Sequence, residues 1–303
     1  MGHPQPTTKK SMNQPWTIRK ALFWAGGYLQ AEDLPDHRLS AEVLLGSVLG
    51  LDRPDLVVLR DQSLDDTEWM VFQEKVLRRA EHEPIAYLTG KKEFWSLNFQ
   101  VDPEVLIPRP ETELLVEEAM RIFCSVPGPK ILIELGTGSG AVAVALAKSL
   151  THAEARPFLA TDISRGALKT ARENAASHGV GKKIQWIQGD WLKPFSSRFR
   201  WIDVLISNPP YVSEREMHHL PTTVKRFEPL RALFGGQDGL DAVRTILSQA
   251  AEQLKIGAWL LLEIGETQGK RILELAEQFH FHPSEILRDY AGKDRVLKAC
   301  YHG

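Results

Sequence analysis

Four consecutive residues bring together a carboxamide, two prolines and an aromatic ring: Asn208, Pro209, Pro210 and Tyr211. The backbone carbonyls of Asn208 and Pro209 precede prolines, which carry no N–H, so the turn offers oxygen acceptors and few donors. A planar –NH2 group suits such a corner, because its two hydrogens can be accepted while its face stacks on the ring. Asn-Pro alone is more often a strand-ending turn, but the whole tetrapeptide indicates a site for an amide or an exocyclic amine.

An apolar run, Val204–Ile206, leads directly into this turn and is typical of a buried parallel strand. Proline disfavours helix for the residue before it, so Asn208 is expected to be extended at the carboxyl end of that strand. In open α/β sheets, ligands bind at that edge.

A second apolar run, Ile131–Leu135, is followed by a glycine-rich turn and an expected helix over Ala141–Leu150. The turn consists of Gly136, Thr137, Gly138, Ser139 and Gly140. Glycines let a ligand approach the backbone closely. With Ala141 the stretch also satisfies G-x-G-x-x-A, so a nicotinamide-binding turn is a competing hypothesis. Three glycines in five residues, with Glu134 two residues before the first, favour a different cofactor.

Acidic residues end the next two expected strands. Asp162 follows Gly140 by 22 residues and can accept from both hydroxyls of a ribose, or cap the next helix. Asp190 precedes Trp191, and a carboxylate beside an indole suits an adenine, although Trp191 could also be core packing. A hydride-transfer enzyme has no need of an –NH2 site beside its cofactor, whereas an enzyme that methylates an amide or amine does.

Strand and helix patterns alternate in the second part of the chain, which predicts a parallel sheet with helices on both faces. Seven strands are expected, at Lys130–Leu135, Pro157–Ile163, Ile184–Gly189, Trp201–Ser207, Ala258–Ile264, about His282–Arg288 and Arg295–Tyr301. Residues before 90 show only helical spacing, with helices expected over Trp16–Leu29, Ser40–Leu49 (Ser40 as N-cap) and Asp66–Glu81. An alternating, aromatic-rich segment between the two parts predicts a β-hairpin. The fold class is therefore α/β with a small N-terminal all-α domain.

Charge and composition disfavour several classes of protein, a nucleic-acid-binding protein among them. The 303 residues carry 37 Lys and Arg against 39 Asp and Glu, divided as 10 against 13 up to Gly90 and 27 against 26 beyond it. Neither part has the basic excess expected for binding a phosphate backbone. No segment resembles a signal peptide or a membrane span. Cys124 and Cys300 form no metal-binding pattern. We expect a cytoplasmic protein without a metal site or a membrane or nucleic-acid partner.

Taken together, the motifs resemble those of class I S-adenosylmethionine-dependent methyltransferases of the HemK type, and especially the bacterial peptide chain release factor glutamine N5-methyltransferases. The resemblance covers nearly the whole chain. Its motifs are Leu106–Glu113, Glu134–Gly140, Asn208–Tyr211, Phe227–Pro229 and Gly292–Arg295. Asn-Pro-Pro-Tyr is shared with DNA adenine methyltransferases. The proline-rich stretch is more discriminating, because the sister family that modifies a ribosomal protein is expected to have Ser-Pro in place of Pro110-Glu111.

This resemblance implies a seven-stranded Rossmann-like methyltransferase sheet and four segments. They are a disordered tail (1–15), a helical domain that recognises the release factor (16–90), a β-hairpin linker (91–107) and the methyltransferase domain (108–303). S-adenosylmethionine is then held by Glu134, Gly136–Gly140, Asp162, Asp190, Trp191 and Asn208. The substrate glutamine is held by Asn208, Pro209, Pro210 and Tyr211, with Arg109 and Glu111 at its entrance.

The implied substrate is the glutamine of the Gly-Gly-Gln loop of class-1 release factors, modified by a monomeric enzyme. We expect the Asn208 side-chain oxygen and the Pro209 carbonyl to accept the two amide hydrogens, with Tyr211 stacked on the amide. Arg109 and Glu111 could instead pair with each other and stiffen a loop, and Glu228 could cap the pocket or lie in a surface turn. The chain's own Gly235–Gln237 repeats the Gly-Gly-Gln sequence, which we interpret as coincidence.

Overall fold

The computed structural model describes residues 15–125, 130–150, 158–195 and 199–303, and divides the chain into a unit ending at Thr89 and a second unit beginning at Gly90. Most of the predicted tail, residues 1–14, lies outside the described residues.

The first unit is entirely helical in its described part, as its sequence pattern predicts. Its helices are α1 (Ile18–Ala31), α2 (His37–Leu49), α3 (Arg53–Val58), α4 (Asp66–Ala80) and α5 (Ile85–Thr89). The helical spacing predicts the three longer helices, and the two short ones, α3 and α5, complete the five-helix domain that the family resemblance implies. Helix α4 begins with a capping box in which Asp65 and Glu68 each accept the other's backbone N–H. The prediction of Ser40 as an N-cap is wrong, because α2 begins one turn earlier and Ser40 is buried within it, bonded to Asp36 and Arg79.

The second unit contains the hairpin and the α/β sheet. Its strands are β1 (Lys91–Phe94), β2 (Leu97–Gln100), β3 (Leu132–Leu135), β4 (Phe158–Asp162), β5 (Ile184–Gln188), β6 (Ile202–Ser207), β7 (Leu254–Glu263), β8 (Phe281–Arg288) and β9 (Asp294–Tyr301). Its helices are α6 (Glu113–Ser125), α7 (Ala141–Ser149), α8 (Arg165–Ser177), α9 (Glu214–Met217), α10 (Thr222–Phe227), α11 (Asp241–Gln253) and α12 (Gly269–Gln278).

Strands β3 to β9 form one seven-stranded sheet in the order β5-β4-β3-β6-β7-β9-β8, which confirms the predicted fold class. Strands β3 to β7 are parallel, but β9 runs antiparallel to both of its neighbours. The parallel pairing predicted from the alternating pattern therefore holds for β3 to β7 and not for β9 at this edge. A tight turn over Asp289–Lys293 joins β8 to β9, and so short a connection permits only antiparallel pairing.

Helices cover both faces of the sheet. Buried apolar residues of α6, α7 and α8 pack on one face, and those of α11 and α12 pack on the other. The β1–β2 hairpin, predicted as a linker, contributes its buried Phe94 and Phe99 to the first of these layers. Asn174 of α8 holds the hairpin by accepting from Gln100 N and donating to Gln100 O. The same side chain donates to Ser139 O, so it also supports the glycine-rich turn.

Within the described ranges, no helix combines the length and the apolar character needed to cross a membrane. The same part of the chain shows no group of His, Cys, Asp or Glu arranged to hold a metal ion.

Candidate active site

A cavity of about 310 Å³ opens at the carboxyl ends of β3, β4 and β6. Its wall includes most of the residues that the sequence predicts for the cofactor: Glu134, Gly136, Thr137, Gly138, Ser139, Asp162, Asp190, Trp191 and Asn208. Residues from the proline-rich segment also line it, with Arg109 and Thr112 among them. The volume falls in the range of about 300–1,000 Å³ that small-molecule sites have. The structure therefore brings three separate sequence motifs to one cavity.

The backbone conformation of the turn between β3 and α7 accounts for its three glycines. Gly136, Gly138 and Gly140 all have positive φ (66°, 56° and 79°), a conformation that other residues rarely adopt. A Cβ at Gly140 would also lie 3.0 Å from the Cβ of Ala171, so a side chain at this position would be crowded as well as strained. The turn is fixed further by Thr137, whose hydroxyl donates to Glu134 Oε2 at 2.6 Å.

Asp162, the last residue of β4, holds this turn from the adjacent strand. Its Oδ2 accepts from Gly138 N at 2.9 Å, and its Oδ1 accepts from Ser164 N at 2.8 Å. Ser164 is the N-cap of α8, accepting from Ala167 N, so Asp162 does not cap that helix with its own side chain. Each carboxylate oxygen can accept further hydrogen bonds, which leaves capacity for a ligand in the cavity.

Asp190 and Trp191 follow β5 and lie at the same edge. Trp191 has a positive φ of 51°, which is uncommon for an aromatic residue. Its ring reaches to 3.7 Å from the position that a Cβ on Gly136 would take. Asp190 forms an ion pair with Lys193. Trp191 is half-buried and part of the cavity wall, so it is both a packing residue and available to a ligand.

The Asn-Pro-Pro-Tyr turn is tied to three other segments. Ser207 donates to Leu135 O at 2.8 Å across the β3–β6 pair. Asn208 Nδ2 donates to Thr112 Oγ1 at 3.2 Å, and the Tyr211 hydroxyl donates to Glu263 Oε1 over a long 3.4 Å. Asn208 and Pro210 line the cavity, whereas Pro209 and Tyr211 are not among its described lining residues.

The loop after Pro229 is hydrogen-bonded to Val212, the residue that follows the Asn-Pro-Pro-Tyr turn. Val212 N donates to Leu233 O, and Gly235 N donates back to Val212 O, both at 2.9 Å. A Cβ at Gly235 would lie 2.7 Å from Pro210 O, so glycine is required for this close approach. The Gly-Gly-Gln repeat at 235–237 thus has a packing role: its glycines are buried while Gln237 is exposed.

The proline-rich segment is attached to the loop around Glu228. Arg109 Nη2 pairs with Glu228 Oε1 at 2.5 Å, and Glu228 Oε2 accepts from Ile107 N at 3.2 Å. Glu228 is buried, so it does not lie in a surface turn, and the alternative pairing of Arg109 with Glu111 is not formed. Glu111 itself is exposed and lies in a separate concavity beside Leu114 and Tyr290.

Two carboxyl groups near the turns are fully buried. Burial raises the pKa of Glu134 to about 8, although hydrogen bonds from Thr137 and the backbone oppose the shift. Burial likewise raises the pKa of Glu263 to about 7, opposed by its hydrogen bond from Thr112 and by the charge of Arg295. A cationic ligand would offset the cost of the buried negative charge.

Glu134→Gln is expected to flatten the pH dependence of stability. The folded protein holds a proton on Glu134 up to about pH 8, whereas the unfolded chain loses it near pH 4.3. The free energy of unfolding therefore falls as pH rises between these values, and the variant should remove a loss on the order of 5 kcal/mol. Denaturant titrations from pH 5 to 9 measure it. Glu277→Gln, which removes an exposed charge, is the control, and equal slopes in wild type and Glu134→Gln would refute the prediction.

Three features together define a class I methyltransferase: the order of the strands in the sheet, the glycine-rich turn and the acceptor-rich Asn-Pro-Pro-Tyr turn. Comparisons with known proteins agree. Residues 20–90 match the model of the PrmC N-terminal domain, and residues 112–227 match that of the methyltransferase small domain. A structure of a methyltransferase from Pyrococcus furiosus shares the fold, with a TM-score of 0.50 at 18% identity over 76% of this chain and 98% of the other.

The curated relatives of this chain narrow the class to one family. The release factor glutamine methyltransferase of Geobacter sulfurreducens is 40% identical over 93% of this chain and 96% of its own length. That of Moorella thermoacetica is 42% identical over 93% of this chain and 98% of its own length. The chain therefore belongs to the family of release factor glutamine methyltransferases. The resemblance derived from the motifs is confirmed, and with it the cofactor, S-adenosylmethionine.

The residues around the cavity fit that cofactor. Its wall carries four acidic side chains and two basic ones, namely Glu104, Glu134, Asp162 and Asp190 against Arg109 and Arg231. S-adenosylmethionine brings a sulfonium and an ammonium group, which this excess of carboxylates suits. A dinucleotide would instead bring a diphosphate among the acidic side chains of this wall, where like charges repel. The charges of the cavity wall thus favour S-adenosylmethionine over the nicotinamide cofactor.

Proposed function

We propose that this chain transfers the methyl group of S-adenosylmethionine to the side-chain amide nitrogen, N5, of a glutamine. The glutamine is that of the Gly-Gly-Gln loop in class-1 peptide chain release factors, so the activity supports translation termination. The observation that carries the proposal is the position of Asn208 in the wall of the cavity that also contains Asp162 and Trp191. An acceptor for –NH2 and the expected cofactor site therefore share one chamber.

The cofactor site would be formed by the β3–α7 turn, Gly136–Gly140, and by the side chains at the ends of the neighbouring strands. Asp162 would accept from the ribose hydroxyls, and Trp191 with Asp190 would cover the adenine. Glu134, which burial keeps protonated at neutral pH, would ionise beneath the turn only where the positive charge of the bound cofactor favours its charged form. When bound, S-adenosylmethionine supplies a methyl carbon that is already strongly electrophilic, so the protein's task is mainly orientation and electrostatics.

The substrate amide nitrogen is a weak nucleophile because its lone pair is delocalised into the carbonyl group. The Asn208 side-chain oxygen and the Pro209 backbone carbonyl would accept its two hydrogens, which aims the nitrogen and increases its electron density. Pro210 keeps this turn rigid, and Tyr211 would cover the amide plane. This scheme uses no general base, since the amide nitrogen gives up its extra proton to solvent.

Arg109 and Glu111 are proposed to act at the approach to the glutamine site. The Arg109–Glu228 pair supports this for Arg109, because it attaches the proline-rich segment beside the cavity. For Glu111, which is exposed outside the cavity, the corresponding role is contact with the release factor. The helical unit is proposed to recognise the release factor as well, in keeping with its match to the PrmC N-terminal domain.

We further propose that the enzyme acts in the cytoplasm as a monomer, without membrane or direct nucleic-acid partners. Both cysteines are free, with Cys300 buried and Cys124 exposed, which suits a reducing compartment. The near balance of Lys and Arg with Asp and Glu, 37 against 39, supports a protein rather than a phosphate-rich partner.

The test of this function is transfer of tritiated methyl from S-adenosylmethionine to purified release factor. Label is expected in the wild-type release factor and not in one whose Gly-Gly-Gln glutamine is replaced. Transfer to DNA or RNA in place of the release factor would show an amine-methylating enzyme of nucleic acid instead. Mass spectrometry of the enzyme itself checks whether Gln237 becomes methylated.

A further inference from the structure

We propose that Thr112 and Glu263 are positioning residues that determine which end of the Asn208 carboxamide faces the cavity. They direct the amide nitrogen of Asn208 toward Thr112 and thereby leave its oxygen available to the substrate. The inference rests on the proposed function, which requires an acceptor at this place. Thr112 belongs to the proline-rich segment and Glu263 to the end of β7, so neither is part of the Asn-Pro-Pro-Tyr motif.

The contacts form a short chain from Glu263 to Asn208. Thr112 Oγ1 lies 2.6 Å from Glu263 Oε2, and Asn208 Nδ2 lies 3.2 Å from Thr112 Oγ1. The first two side chains are almost completely buried, with 5% of Thr112 and 1% of Glu263 exposed. Solvent therefore competes little for these hydrogen bonds, and the groups must satisfy one another.

The direction of each bond follows from the number of protons available. At pH 8, above the pKa of about 7 that burial gives Glu263, the carboxylate is mainly ionised and only accepts, so the hydroxyl of Thr112 must use its single hydrogen toward Glu263. The Thr112 oxygen then has only lone pairs left, and Asn208 can satisfy it only with its –NH2 group. The opposite arrangement would place Asn208 Oδ1 against a second acceptor, with no hydrogen between them.

Glu263 also acts on the second functional side chain of the turn. Its other oxygen, Oε1, accepts from the Tyr211 hydroxyl at 3.4 Å. The charged groups that face it are Arg295, which favours the ionised form, and Glu111, which opposes it. Arg295 is itself held by Asp289. A single buried carboxylate thus fixes Tyr211 directly and Asn208 through Thr112.

The kinetic test replaces Thr112 with two residues of similar size. Thr112→Val keeps the shape and removes the hydroxyl, whereas Thr112→Ser keeps the hydroxyl. We expect T112V to lower kcat for release factor methylation about 10–100-fold, somewhat less than the loss of a direct contact. Its affinity for S-adenosylhomocysteine should stay at the wild-type value, and T112S should recover most of the turnover. Thr161→Val, at a buried threonine whose hydroxyl bonds to no described residue, is the matched control.

A second measurement reads the Asn208 amide directly and needs no substrate. The chain has four asparagines, so selective ¹⁵N labelling gives four side-chain –NH2 signals, and Asn208→Asp identifies one of them. In the wild type and in T161V the Asn208 signal should exchange slowly with solvent, and in T112V it should exchange markedly faster. If T112V does not fold, Thr112→Ala removes the same hydroxyl and carries the same expectations.

Wild-type turnover in T112V, or an unchanged Asn208 signal in it, would overturn the inference. An equal loss in T112S and T112V would do the same, since it would show that packing rather than the hydroxyl matters. A wild-type enzyme that labels no release factor would refute the proposed function instead, while the exchange measurement would still decide the orientation of Asn208.

Discussion

Asn208→Ala is expected to lower the turnover of release factor by about 10²–10³-fold, because it removes an acceptor that is aimed at the reacting amide. The cost is large since the acceptor is held in place before the substrate arrives, on a turn fixed by two prolines and by Thr112. Asn208 makes no hydrogen bond to the glycine-rich turn or to Asp162 in the described structure. The affinity for S-adenosylhomocysteine should therefore change little.

The measurement pairs initial rates of methyl transfer with calorimetric titration of S-adenosylhomocysteine. Asn98→Ala is a suitable control, because it makes the same substitution at an exposed position of the β1–β2 hairpin outside the cavity. The division of roles proposed here would be untenable if Asn208→Ala lost its cofactor affinity and kept its kcat. A small effect on both quantities would show that another group holds the glutamine.

Much of the fold follows from the sequence because its signals are local. Each of the seven strands of the large sheet overlaps its predicted range, since apolar runs bounded by turns need no information from distant residues. The strand order and the antiparallel direction of β9 do not follow from these apolar runs, because they depend on which strands pair across the sheet. The turn at Asp289–Gly292 contained the signal, as so short a connection joins antiparallel neighbours.

The candidate site also contains both residues that the sequence could predict and residues that it could not. Asn208, Asp162 and Trp191 could be predicted because each follows an apolar strand, where parallel sheets bind ligands. Glu263 is the last residue of β7 and the last but one of the strand predicted there, so the same rule would also have found it. Thr112 carries no such signal: its importance depends on two side chains far away in sequence.

Ion pairs between residues distant in sequence could not be predicted either, because no local pattern encodes them. Arg109 has Glu111 two residues away, and proximity in sequence made that pair plausible. The structure instead pairs Arg109 with Glu228, across 119 residues, because the proline-rich segment packs against the Phe-Glu-Pro loop. Glu228 is buried and also accepts from a backbone N–H, so its position is fixed by packing that no local pattern encodes.

Asp162→Ala is expected to weaken S-adenosylhomocysteine binding about 10–100-fold or more, with turnover largely recovered at saturating S-adenosylmethionine. A hydrogen bond to a charged group contributes about 1.5–3 kcal/mol, and Asp162 has free lone pairs beside the cavity. The substitution also frees Gly138 N and Ser164 N, which hold the glycine-rich turn against α8. Both effects reduce affinity for the cofactor, whereas Asn208 and its contacts stay intact.

Asp203→Ala separates loss of binding from loss of stability. Asp203 also accepts from a backbone N–H, that of Ile131 at 2.8 Å, and pairs with Lys255, but it lies near the amino end of β6, away from the cavity. Both variants should lower the midpoint of thermal unfolding, while only Asp162→Ala should raise the Kd measured by calorimetry. Equal Kd values in the two variants would mean that the carboxylate supports the fold alone. The ribose hydroxyls would then have to be bound by other groups of the cavity wall, for which Glu104 is an acidic candidate, since its carboxylate lies 3.5 Å from Ser164 Oγ.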